Sequence, residues 1–139
     1  MNLIWKRPDG YHGATPSDFT TISIDGHSKL WVHKTDHDTF PFRISGGWEE
    51  EEQSKKLNNL VNLIGKPDTE WVLYLSKIYA DNLDDDPKQF SANIITWLDE
   101  LSSLIKGGNW EIEIIKKAIE GIKLKLIAIN DNFVKPSGL

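Results

Sequence analysis

The feature that most restricts the fold of this chain is a change of hydrophobic period at Gly46-Gly47. Before that pair, apolar residues alternate. After it, they recur at intervals of three and four. Alternation puts one set of side chains on one face of a strand, whereas spacings of three and four build one face of a helix. Leu3-Ile4-Trp5 reads as a short strand ended by Pro8, Asp9 and Gly10, with a polar loop running on through Pro16. Phe19 to Ile24 alternates, with Thr20, Ile22 and Ile24 on one face. Leu30 and Val32 alternate in the next strand, 29–34, and Phe40, Phe42 and Ile44 mark another.

Asp25-Gly26 is a hairpin signal. A two-residue loop there would pair Ile22 with Lys29 and Thr21 with Leu30, mixing apolar and polar faces. An odd loop instead sets Ile22 opposite Leu30 and Thr20 opposite Val32, which segregates them because directly opposed side chains share a face. The expected turn is therefore bulged, or three or five residues long. In that register Leu30 and Val32 face the core, and Trp31, His33 and Arg43 face outward.

The remainder reads as four helices. Glu49, Glu50, Glu51 and Glu52 open the first, where carboxylates favour the positive end of the helix dipole. Leu57, Leu60, Val61 and Ile64 follow at helical spacing, and Gly65 stops the run. Pro67-Asp68-Thr69 starts a second helix with the stripe Trp71, Tyr74, Leu75, Ile78 and Tyr79. Asp86-Pro87-Lys88-Gln89 combines an N-cap, a first-turn proline and a capping-box glutamine. Phe90, Ile94, Trp97, Leu98, Leu101, Leu104 and Ile105 then line one face, ended by Gly107-Gly108. The last helix spans about 110–133 on Ile112, Ile115, Ile119, Ile122, Leu126, Ile129 and Phe133. Ile114, Ala118 and Ile127 widen that stripe, which makes this helix the expected most buried one.

Strands first and helices afterwards predict an α+β domain: a small antiparallel N-terminal sheet of three to four strands packed on about four C-terminal α-helices. One domain over 1–139 is expected, with the sheet in 1–46 and the helical part in 47–135. The predicted core includes Ile22, Leu30, Val32, Phe42, Leu60, Trp97, Leu101, Ile115 and Ile122.

Composition narrows the function classes. Cysteine is absent, so disulfides, thiolate metal sites and thiol nucleophiles are excluded. That absence suits a reducing cytoplasm. The first eight residues, Met1 to Pro8, lack the apolar run of a signal peptide, and apolar stretches fall short of the ~20 residues that span a bilayer. A cytoplasmic location without membrane association is expected. The net charge of −5 argues against nucleic acid as partner, since phosphate contacts need a basic stripe, and suits a basic protein.

No motif points to catalysis. Gly-x-Ser-x-Gly, a P-loop and a dinucleotide fingerprint are missing. Gly10-Tyr11-His12-Gly13 is loop chemistry without the following helix a phosphate cradle needs. The histidines are His12, His27, His33 and His37. His33-Lys34-Thr35-Asp36-His37-Asp38 has the density of a transition-metal site but lies at a strand-to-turn junction, where turn chemistry explains Thr and Asp. No metal, cofactor or catalytic residue is expected, and a His-dependent hydrolase is the least favoured reading.

Two acidic runs and one aromatic pair are the candidate partner-binding residues. Glu49, Glu50, Glu51 and Glu52 form the first run. Asp81, Asp84, Asp85 and Asp86 form the second, within Asp81-Asn82-Leu83-Asp84-Asp85-Asp86. Each has a local role, as a helix start or as an interhelix loop with an N-cap. Each also suits docking to a cationic partner, whose encounter such charges accelerate. Trp31 beside Arg43 on the outer sheet face is the candidate hot spot.

Four segments carry a resemblance: Trp5-Lys6-Arg7-Pro8-Asp9-Gly10-Tyr11-His12, Leu30-Trp31-Val32-His33-Lys34, Pro41-Phe42-Arg43-Ile44-Ser45-Gly46-Gly47-Trp48 and Lys56-Leu57-Asn58-Asn59-Leu60-Val61-Asn62-Leu63. With them the chain resembles the small bacterial immunity proteins of contact-dependent growth inhibition and related polymorphic toxin systems. The resemblance spans about the first half of the chain in motifs and carries over no catalytic residue. It implies a cytoplasmic protein that binds and neutralises a cognate toxin domain, often a nuclease, by covering its active site or an exosite. The alternative is a non-catalytic adaptor for another basic protein.

Overall fold

The computed structural model describes residues 1–6, 19–24, 30–34, 44–45, 49–81 and 92–129. Three strands precede four helices: β1 (Leu3–Lys6), β2 (Phe19–Ile24), β3 (Leu30–Lys34), α1 (Glu50–Ile64), α2 (Lys66–Asp81), α3 (Ala92–Lys106) and α4 (Ile112–Ile129). The fold is mixed α+β and dominated by helix. The described strands form an antiparallel sheet in the order β1-β2-β3. Of the further strand expected around Phe40 and Phe42, only Ile44 lies within the described residues; it is buried and belongs to no strand.

The β2–β3 register corrects the expectation. Ile22 pairs with Trp31, Thr21 with Val32 and Ser23 with Leu30. Six residues, 24–29, separate the paired Ser23 and Leu30, an even connection instead of an odd one. On the other side of β2, Leu3 pairs with Ile24 and Trp5 with Ile22. Leu3, Trp5, Ile22 and Ile24 are all buried, so this row is the core face of the sheet. A slip of one residue moves a whole strand to the other face. The observed slip puts position 31, the bulkiest apolar residue of β3, in the Ile22 row. Positions 30 and 32 move to the opposite row, and the premise that set Trp31 outward no longer holds.

The helices end where the glycines predict. Gly65 adopts φ +89°, which side chains rarely tolerate, and its N–H returns to the carbonyl of Val61 at 2.8 Å. At the end of α3, Gly108 has φ +71° and donates to Ile105 O at 3.2 Å. The Trp110 indole also donates to Ile105 O, at 2.7 Å, and Ser45 N–H reaches Lys106 O at 2.7 Å. These donors serve carbonyls that a helix end leaves without an internal partner.

Which helix is central differs from the expectation. α2 contacts β3, α1, α3 and α4. Its buried residues therefore spread widely around the helix: Thr69, Val72, Leu73, Leu75, Ser76, Ile78 and Tyr79. Trp71 and Tyr74, expected in its stripe, are half-buried and meet edge to face with centroids 5.8 Å apart. α4, expected to be the most buried, is an outer helix. It buries Ile115, Ile119, Ile122 and Leu126, while Ile114, Leu124, Ile127 and Ile129 are exposed. Described neighbours of α4 are the other three helices, so one stripe is covered although the helix is apolar around more of its circumference.

One hydrophobic cluster joins the sheet to all four helices, from Leu3 to Leu126. Ile22, Leu60, Leu101, Ile115 and Ile122 are buried as predicted, and Trp97 packs partly buried against the cluster. Phe42 lies outside the described residues, as do the side chains of Leu30 and Val32. No described helix is long and apolar enough to cross a membrane.

Candidate partner-binding surface

The acidic start of α1 has the local structure its sequence predicts. Glu49 is extended at φ −76°, ψ 120°, its side chain makes no cap bond, and its carbonyl accepts Gln53 N–H at 2.9 Å. Glu50, Glu51 and Glu52 occupy the first turn. Glu50 meets Lys6 of β1 at 3.4 Å, and Glu52 meets Lys56 one turn on at 3.3 Å. Both pairs are solvent-exposed and contribute little to stability. Glu49, Glu51 and Glu52 are exposed.

What holds this edge in place is a set of polar side chains on α1. Asn58 Oδ1 accepts Leu3 N–H at 2.8 Å, and its Nδ2 donates to Leu3 O at 2.7 Å and Ser54 O at 2.8 Å. Ser54 Oγ accepts Trp5 N–H at 2.8 Å. Leu3 and Trp5 therefore turn their backbone groups to α1, and alternation leaves Ile4 and Lys6 to bond β2. A helix covers an edge that could otherwise recruit a foreign strand. Gln53, fully buried, clamps Ile44 in both directions: its Oε1 accepts Ile44 N–H and its Nε2 donates to Ile44 O, each at 2.8 Å. Lys56 Nζ donates to Ser45 O. β1 and the 44–45 segment thus meet the first half of α1, and the 44–45 segment also reaches the end of α3.

Sequence reasoning missed Gln53, Ser54 and Asn58. A signal was present: Gln53 sits four residues before Leu57 and seven before Leu60, in phase with the apolar stripe. A polar residue at a core position must find a partner.

The other candidates are not gathered at this edge. Asp81 closes α2, and nothing is described of its side chain. Asp84, Asp85, Asp86 and Arg43 lie outside the described residues. Trp31 stands in β3 opposite Ile22. His33 is in β3, whereas His12, His27 and His37 fall outside the described residues. Among the described residues no group of three or more His, Cys, Asp or Glu could hold a metal ion.

One open depression of about 630 Å³ lies where α1 passes the start of β1, lined by Asn2, Lys55, Lys56, Asn58, Asn59 and Asn62. Compared with known proteins, no protein-family model, curated protein or solved structure matches this chain.

Proposed function

We propose that this chain is an immunity protein that binds a cognate toxin domain and neutralises it by covering the active site or a neighbouring exosite. The observation that carries the reading is the exposed carboxylate edge at the start of α1. Glu49, Glu51 and Glu52 are exposed there, on a helix fastened to β1 and to Ile44 by Asn58, Ser54 and Gln53. A helix held in place presents these charges without a backbone ordering cost on binding. It complements the basic substrate cleft of a nuclease, and the net charge of −5 adds attraction at long range. The resemblance to polymorphic-toxin immunity proteins supplies the biological setting, including a cytoplasmic location.

The test is binding kinetics against the toxin domain encoded beside this chain. Association should be fast at low salt and slow steeply as salt rises. Changing Glu49, Glu51 and Glu52 together to Gln should lower the association rate about tenfold at low salt, while the lost helix-dipole interactions lower the melting temperature by no more than a few degrees. A wild-type association rate in that variant removes the acidic edge from the mechanism. Absence of binding and protection favours the adaptor reading, in which the same edge takes a different basic protein.

A further inference from the structure

We draw no further inference here: the strongest candidate, the outward face of α4 with exposed Ile114, Leu124 and Ile127, is bordered by exposed charges of both signs at Glu113, Lys117 and Glu120, and nothing in the structure shows what covers it.

Discussion

Asn58 bonds both backbone groups of Leu3, accepting its N–H at 2.8 Å and donating to its carbonyl at 2.7 Å. A single side-chain amide on α1 thus stands where a neighbouring strand would pair. Asn58→Ala removes both bonds and leaves Leu3 facing a shortened side chain. A buried backbone group left without a partner costs about 1–3 kcal/mol, and the half-buried position of Asn58 lets water recover part of that. The variant should lower the urea midpoint without changing the slope of the transition. A stability change of a few tenths would show that the clamp contributes nothing net.

Gln53 presents the sharper case, because it is fully buried and uses both ends of its amide on Ile44. Gln53→Glu keeps the shape. The neutral acid still donates to Ile44 O and accepts Ile44 N–H, but the carboxylate loses the donor and sits in a dry site. Its folded-state pKa is therefore raised above the unfolded value of about 4.3. By linkage, the variant's stability is retained below that value and lost as pH rises through the folded pKa. Unfolding curves at pH 4 and pH 7 should show a deficit against the native chain that grows by about 3 kcal/mol, equivalent to about two pKa units. A deficit independent of pH would mean that the carboxylate reaches solvent.

The period change at Gly46-Gly47 made the division into strands and helices readable, because strand and helix bring side chains to one face at different intervals. α1 shows this best: Leu57, Leu60, Val61 and Ile64 are buried as their spacing requires. α2 was legible in part: Leu75, Ile78 and Tyr79 are buried as its stripe requires, but a helix touched on several sides has no single stripe, so Val72 and Leu73 are buried too while Trp71 and Tyr74 are only half-buried. α4 was misread for the converse reason. Its apolar residues exceed what one layer of neighbours can cover, and composition does not say which flank is left out. The β2–β3 register turned on whether Leu30 and Val32 or Trp31 should join Ile22, a choice that alternation poses without answering. Of the candidate site, the carboxylates of 49–52 were legible from local helix electrostatics. The clamps that position them join residues up to 55 apart in sequence, and no local pattern encodes such a pairing.

Tyr74 gives a test at high pH. Burial raises the pKa of its phenol above 10.0, because the half-buried ring would have to carry a charge with reduced access to water. Its ring meets Trp71 edge to face at 5.8 Å, and Lys123 of α4 places its ammonium 5.1 Å from the centroid of the Trp71 ring. The Trp71 ring that receives Lys123 of α4 therefore also packs against a neutral phenol. The folded state holds the Tyr74 proton more tightly than the unfolded chain, so above pH 10 the unfolded chain binds fewer protons. This contribution is fully present below the unfolded pKa and is lost as pH rises through the folded value. Melting temperatures taken from pH 8.5 upward should fall more steeply for the native chain than for Tyr74→Phe, whose ring cannot ionise. Every other group is common to the two proteins, so the difference between the two curves isolates the phenol. Absorbance of phenolate at alkaline pH should show one tyrosine ionising late in the native chain and missing from the variant. Parallel melting curves would place the Tyr74 hydroxyl in water.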